Sequence, residues 1–557
     1  MSSSAERTPK QYDVIVVGSG NGACGFLSHY LEHASEQANV LVLERGHHFD
    51  VTRTISTREH WSKSYSRGSI FKLHNASTPD GRLILSGGAC SMGGGGSINY
   101  TMIHESSSWL SKHLGCEEAY WNHLKRVLNE KFRRDDPSKH ETPLTTHILR
   151  AGAARHFQLR HDRIAGIPSH NEDETKQLHQ FVSPFDAEGE RTNSGVSIVD
   201  WSDERLDLEL NTEVLGFELE EHDGEATCVS VHVGRKRSKK PERRLLKRGG
   251  KVILCGGAAT PRLLMPYRKR LQNEAIGKHV NDHIIMPLGL YVPPPDLPVS
   301  SDDVYCPVFA TKTWTPAGAD GEPRVVSLDF FAGPMQKLLY MVSPFYFAFL
   351  LPNSVKRMVW RTPWLFSLFK HAMRMLVSLV NALVTLCTLG NAPRFITAMV
   401  KYNPEKEGQY EDSEDGRITL RWFEGDGDDA VARALIAEEG LPFLEKLGQK
   451  PSWLVQRLCR LATKVPFDPR QIAKFVESYS AKSLLSQQHL SGGCLFGRAV
   501  DAGESDGSRT GQVKGSSNMH VADLSAVPLP RVSPQMTAYL VGMHVAKQLY
   551  PPSSTAC

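Results

Sequence analysis

The chain has 557 residues, of which 40% are hydrophobic and 23% charged, a balance that suits a globular protein of two or three domains with ample core. Its 65 Lys and Arg against 61 Asp and Glu leave a net charge of +4, too small a surplus to point to a nucleic-acid partner. Ten cysteines without metal-ligand spacing or a CxxC pair read as reduced, packed thiols, so no metal site and no disulfide framework is expected.

The first ten residues contain no apolar signal core and the last five carry no targeting address, so the expected location is cytoplasmic. From Asp13 the chain runs Val14 to Val17, then Gly18-Ser-Gly20-Asn-Gly22-Ala23, then Phe26, Leu27 and Leu31 at helical spacing. That pattern predicts a strand, a tight turn and a helix start. Glycines there let the backbone approach a pyrophosphate, which rests on the free N–H groups of the helix N-terminus. Ala23 stands at the third glycine position. A second strand, Val40 to Leu43, ends in Glu44 and Arg45, and a carboxylate at that edge can accept hydrogen bonds from ribose hydroxyls. Together these features predict a dinucleotide-binding unit rather than a βαβ corner whose glycines serve packing alone.

Residues 47–82 are polar with little periodicity, and Ala89-Cys-Ser-Met92-Gly93-Gly-Gly-Gly96-Ser97-Ile98-Asn99 follows. Four successive glycines let a backbone run flat against a bulky ligand and present its N–H groups. Helical periodicity appears near 117–132 and 143–158. Alternation of period two over Leu206–Val214 and Cys228–Val233 predicts strands of a small antiparallel sheet, flanking the basic run Arg235–Arg248, which reads as a solvated hairpin. Lys251-Val-Ile-Leu-Cys-Gly256-Gly257-Ala-Ala-Thr260-Pro261 repeats the strand-then-glycine pattern, with a helix starting at Thr260-Pro261.

Residues 291–484 read as a separate part with an unusual middle. Leu338–Leu351 and Met375–Leu389 are largely apolar, and between them Lys356, Arg357, Arg361, Lys370 and Arg374 interleave with Trp360, Trp364, Phe366 and Phe369. Neither run reaches the roughly 18–20 residues needed to span a bilayer. Two readings stay open: core or a hydrophobic lid over a greasy pocket, and an interfacial segment that docks on a membrane surface.

Several of these stretches resemble the glucose–methanol–choline (GMC) oxidoreductases. The run 89–99 is similar to their first signature, Gly256 to Leu264 to their second, and Gly277-Lys-His-Val-Asn281-Asp282-His283 to the element after it. Near the C-terminus stand His489-Leu-Ser-Gly492-Gly493-Cys494-Leu-Phe-Gly497, then Gly515-Ser-Ser-Asn518 to Asp523, then Pro534-Gln-Met-Thr537. The His-x-x-Gly-Gly-Cys form resembles the cholesterol-oxidase-like branch most.

The resemblance implies an α/β fold, α+β overall: a Rossmann-like FAD-binding domain with a discontinuous substrate-binding domain. The FAD-binding domain is expected over 10–105, 195–290 and 485–550. The substrate-binding or cap domain is expected over 106–194 and 291–484, including the apolar segment 338–389. By position, Gly18, Gly20, Ala23, Glu44 and Arg45 would serve the ADP half, and Val214 would touch adenine through its backbone. Gly93, Ser97, Asn99 and Gly257 would lie along the flavin and pyrophosphate, with Asp523 and Thr537 near the ribityl chain and ring. Ile98 stands where some relatives carry a histidine that binds flavin covalently, so non-covalent FAD is expected.

Oxidising an alcohol needs a base for the hydroxyl proton and an acceptor for the carbinol hydride. The resemblance assigns the base to His489, and imidazole suits the task because its pKa lies near neutrality. Relatives place a second histidine or an asparagine before Pro-x-x-Thr; here Ser533 stands there, and its hydroxyl can donate to the substrate oxygen. His520 and His544 read as structural. The expected substrate is a small hydrophobic alcohol (a sterol, terpenoid or long-chain alcohol), with O2 or another electron acceptor. The alternatives are a non-redox lyase or isomerase on the same FAD scaffold, and a lapsed flavoprotein serving as a membrane-docked binding module.

Overall fold

The computed structural model describes residues 9–48, 71–74, 76–77, 86–97, 107–132, 143–161, 176–180, 195–222, 224–235, 240–297, 305–314, 324–336, 338, 351–352, 354–355, 358–359, 362–387, 394–412, 418–421, 428–463, 471, 474–476, 489–501, 503, 509–530 and 533–551. Asn99, Ile98 and most of the apolar run 338–351 lie outside the described residues.

The apolar run after Tyr12 forms the strand Gln11–Val17, and Val40–Leu43 pairs with it in parallel. On its other side lies the last third of the long strand Glu242–Leu254, which in turn pairs in parallel with Met519–Val521. Parallel strands are covered on both faces, so their sequences are continuously apolar rather than alternating. Val14, Val16, Val40, Val42 and Ile253 pack on one side, with Phe26, Leu27 and Tyr539. Ile15, Val17, Leu41, Leu43, Val252 and Leu254 pack on the other. The helices Asn21–His33 and Gln535–Leu549 lie together on the first side. This is the Rossmann-like arrangement expected from the glycine-rich start.

The same sheet continues as an antiparallel meander. The strands Thr212–His222 and Glu225–Arg235 pair with one another, and the second pairs with the first part of Glu242–Leu254. The period-two stretch Leu206–Val214 is therefore not one strand. It divides at a turn with Asn211 at φ 52°. Leu206–Glu209 joins the parallel edge beside Val40–Leu43, while Thr212 opens the meander. The expected small separate sheet is part of the main one, and the basic run falls where Glu225–Arg235 gives way to Glu242–Leu254, inside the edge strand Thr212–His222, with Arg244 paired to Glu209 and Glu242.

A second, six-stranded sheet runs in the order Ile284–Pro287, Arg394–Tyr402, Arg324–Pro334, Tyr305–Trp314, Lys176–Gln180, Gln158–His161. It is antiparallel except for its last pair. One face, with Leu178, Ala310, Leu328, Phe330, Ala398 and Val400, is apolar and buried, and the helices Pro143–Ala153, Asp428–Leu435 and Leu441–Leu447 pack on this sheet. The helix Glu118–Lys131, expected with the substrate part, packs Trp121, Leu124 and Leu128 into the same core as Phe26 and Tyr539.

The helix Pro363–Cys387 carries two apolar faces. Met373, Val377, Val380 and Val384 are buried. Trp364, Leu368, Met375, Leu379, Leu383 and Leu386 are exposed, with Met375 and Leu386 at 74% and 75%. At 100° per residue these six fall within one arc of about a third of the helix circumference. No helix among the described residues is long and apolar enough to cross a membrane.

Candidate active site

The strand Gln11–Val17 ends at Gly18, whose φ of +93° and 2.7 Å Cβ clearance to the Cys255 carbonyl admit glycine alone. The helix that follows begins at Asn21 with no side-chain cap and no acidic residue in its first turn. Its unpaired N–H groups and positive end therefore point into the space beyond the sheet edge. That space is a cleft of about 550 Å³, lined among others by Gly18, Gly20, Glu44, Arg45, Val214, Gly257 and Asp523.

The residues lining the cleft fit a dinucleotide. A side chain at Gly95 or Gly257 would meet nothing within 4 Å, so the backbone is bare toward the cleft. Asn21 Oδ1 is buried without a hydrogen-bond partner. Glu44 is buried: one oxygen accepts from Ser19 N and Oγ at 3.1 and 2.7 Å, the other from Gly46 N at 2.7 Å. Burial raises its pKa against those hydrogen bonds. A carboxylate has about four lone-pair sites, so capacity remains for a ribose hydroxyl.

The other expected cofactor residues divide by role. Asp523 lines the cleft, but its carboxylate is committed. Oδ2 accepts from Gly257 N and Thr260 Oγ1 at 2.7 and 2.6 Å, and Oδ1 from Ser525 N and Oγ at 2.8 and 2.6 Å. It ties the end of Met519–Val521 to the second glycine-rich turn. Gly93 N reaches Ser19 O at 3.1 Å and joins the two glycine-rich stretches. Ser97 Oγ donates to the Met92 carbonyl at 2.8 Å. Ala23 and Thr537 are buried in the paired helices, behind the lining.

His489 reaches this region through a two-rung antiparallel ladder, Val280 with Gly492 and Asn281 with Ser491. Gly492, at φ +80°, approaches so closely that a Cβ would lie 1.9 Å from the His279 carbonyl. The ladder sets Asn281-Asp282-His283 beside His489. Asp282 Oδ1 accepts from the His489 backbone N–H at 2.8 Å. His283 Nδ1 lies 2.9 Å from His489 Nδ1, and His283 Nε2 lies 3.0 Å from the Pro530 carbonyl.

With both rings neutral, only one proton arrangement satisfies these contacts. The Pro530 carbonyl can only accept, so His283 carries its proton on Nε2 and a lone pair on Nδ1. His489 Nδ1 must then donate, which leaves the lone pair of His489 on Nε2. The His489 pKa is held well below the usual imidazole range by its crowded surroundings and by the nearby Lys401 ammonium. The ring is thus set as a proton acceptor at neutral pH. Leu490, the next residue, lines the cleft. Ser533 is buried, and Pro530 brings the segment before it against His283. His283 closes the Gly277–His283 motif, yet its partnership with His489 joins positions 206 residues apart, which no local pattern reveals.

His520 and His544 are turned to other uses. His520 Nδ1 meets the Thr510 carbonyl at 3.1 Å, and His544 Nδ1 meets the Tyr120 hydroxyl at 2.9 Å.

Residues 404–542 match the family model described as GMC oxidoreductase. No curated protein sequence matches the chain. In fold it is similar to pyridoxine 4-oxidase from Mesorbium loti at 14% identity and TM-score 0.60, over 97% of this chain and 99% of that one. It is also similar to a point variant of formate oxidase from Aspergillus oryzae RIB40, at 14% identity and TM-score 0.61, over 97% of this chain and 98% of that one. The glycine-rich cleft, the His489 motif and the family match agree: residues 404–542 carry a GMC oxidoreductase domain, and the chain is an FAD-dependent oxidoreductase.

Proposed function

We propose that this protein oxidises the CH–OH group of a hydrophobic alcohol, with His489 Nε2 as the base. The observation that carries the reading is the pair of contacts that puts a lone pair on that nitrogen, His489 Nδ1 to His283 and His283 Nε2 to Pro530. FAD, when bound, supplies at its N5 the acceptor for the carbinol hydride. The chain takes the hydroxyl proton on Nε2, so the carbon–hydrogen electron pair can leave as the carbonyl forms. Asp282 anchors the His489 backbone, and His283 holds the ring against rotation, so geometry and tautomer are set before substrate arrives. Ser533 is assigned as donor to the substrate oxygen.

The flavin is held without a covalent bond in this reading. No histidine or tyrosine lines the cleft among the described residues, and burial drives the Cys255 thiol, which does line it, well up from reactivity. O2 is assigned as electron acceptor because both similar structures are oxidases by name. A hydrophobic skeleton is supported by Ile285, Phe309, Phe331 and Met399, which share one face of the six-stranded sheet with Lys401. The exposed apolar stripe of Pro363–Cys387 supports peripheral docking on a membrane, where such substrates collect. Among the described residues Cys24, Cys228, Cys255 and Cys494 are buried free thiols, which supports a reducing, cytoplasmic setting.

The test is anaerobic mixing of the flavin-loaded protein with decan-1-ol and with a sterol, followed by absorbance. Bleaching by one of them that disappears in His489→Ala is expected. Bleaching that survives His489→Ala, or none with any alcohol, overturns the assignment.

A further inference from the structure

The face of the six-stranded sheet opposite its helices is not a plain apolar surface. Strand pairing sets Lys401 beside Ile285 on one side and Ser327 on the other, with Thr311 next to Ser327 and Gln177 next to Thr311. Asp329, Phe309 and His179 form the adjacent row on the same face. All of these polar residues are buried. A buried polar row interrupts apolar packing and needs a reason.

Lys401 is the sharpest case. It is 1% exposed, and an ammonium has three donors to satisfy. Its nearest counter-charge is Asp329 Oδ2 at 3.6 Å, an ion-pair distance longer than a hydrogen bond. Among the described residues Nζ has no hydrogen-bond partner. The Asp329 carboxylate is itself shared, since Oδ1 accepts from Ser327 Oγ at 3.1 Å. Two residues on, Asn403 Oδ1 is also buried without a partner. A buried cation this loosely held is costly unless a ligand completes it.

The position says what that ligand belongs to. Ile285 pairs with Lys401, and His283 stands immediately before the strand Ile284–Pro287 that carries Ile285. His283 holds His489 at 2.9 Å. The ammonium lies close enough to the base to act on it electrostatically, on the same sheet face as the apolar side chains Ile285, Phe309, Phe331 and Met399.

We propose that Lys401 forms an anion subsite of the substrate pocket, and that the substrate is a hydrophobic alcohol that also carries a carboxylate, a hydroxy acid. The inference deepens the alcohol-oxidation reading above and rests on it for identifying the bound anion as part of a substrate. Lys401 holds the carboxylate while the carbinol end lies against His489. Asp329 holds the ammonium in place until the substrate carboxylate competes for it.

The test uses unreactive probes on the flavin-loaded protein: isothermal titration with decanoate and with decanamide. Decanoate is expected to bind at least tenfold more tightly than decanamide. Lys401→Met is expected to erase that preference, Lys401→Arg to keep part of it, and Asp329→Asn to strengthen decanoate binding by freeing the ammonium. Equal affinity for the two probes, or a preference that survives Lys401→Met, overturns the proposal. Should Lys401→Met not fold, Asp329→Asn decides: unchanged or weaker decanoate binding overturns it. Anaerobic mixing with 10-hydroxydecanoate separates the two readings. A decanoate preference without bleaching would keep the carboxylate subsite and remove the alcohol reaction.

Discussion

Replacing His283 with phenylalanine tests the site where its logic is most exposed. The substitution keeps a ring of similar size at a fully buried position and removes both ring nitrogens. The Pro530 carbonyl then loses its donor, and His489 Nδ1 loses its acceptor. Each buried polar group left unpaired costs about 1–3 kcal/mol, so a fall in stability on the order of 2–6 kcal/mol is expected. The catalytic consequence is separable. Without His283 no contact among the described residues specifies which nitrogen of His489 carries the proton, and a ring protonated on Nε2 cannot accept another there. A catalytic imidazole forced into the wrong tautomer loses up to about 10⁴-fold. Here the tautomer is released rather than forced, so flavin reduction should slow by about 10²–10³-fold, or roughly 3–4 kcal/mol of barrier. The assay is stopped-flow reduction of the flavin under anaerobic conditions, run at a temperature where circular dichroism and flavin content match the parent protein. A reduction rate within about threefold of the parent in a folded, flavin-loaded His283→Phe variant would refute the tautomer argument.

Flavin reduction should also follow the protonation of His489. Its pKa is held low by crowding and by Lys401, so the rate should be flat across neutrality and fall only well below pH 6.5. Lys401→Met removes a repulsion of the imidazolium and should move that acid limb to higher pH in a pH–rate profile. Global stability carries a different pH signature. His29 and His520 are held at about 4, and His544 at about 3, in each case mainly by burial. Between pH 6.5 and 4 the unfolded chain binds protons that these folded rings refuse, so stability is full above about 6.5 and declines as pH falls. Each ring accounts for on the order of 3 kcal/mol by pH 4; urea midpoints should drop across that window, and His544→Phe should flatten the drop. For the exposed stripe, flavin-loaded protein should co-sediment with lipid vesicles, and serine at Trp364, Leu368, Met375 and Leu379 together should abolish it while leaving flavin reduction intact.

What the sequence revealed follows the range of the interactions. The nucleotide strand, its glycine turn, the helix after it and the acid at Glu44 are local, each set by residues within a few positions of one another. They appear at Gln11–Val17, Asn21–His33 and Val40–Leu43. Where two outcomes share one local pattern, the sequence could not choose. The alternation over Leu206–Val214 fits one strand or two with a reversal, and Asn211 in the left-handed region decides it. The contents of the second sheet were hidden for a stronger reason. Its strands come from six separated stretches of chain, and the significance of Lys401 depends on Ile285 and Ser327 lying on either side of it.

The departure at Ser533 shows how far position-by-position transfer can go. A histidine or asparagine was expected there to share the work of His489, and a serine reaches less far. Yet His489 does have an imidazole partner, supplied by His283 from the other strand of the Val280–Asn281 ladder. That partner acts on the far nitrogen, Nδ1. It can set the tautomer of the base, but it cannot also donate to a substrate oxygen at Nε2. Fixing the base and steadying the substrate are therefore separate tasks here. In the proposed reaction the second is assigned to the small hydroxyl of Ser533, and a substrate held at its far end by Lys401 would need less from that hydroxyl. On this argument Ser533→Ala should cost little with a hydroxy acid and more with a neutral alcohol of the same length. The opposite order, measured by flavin reduction, would separate Ser533 from Lys401.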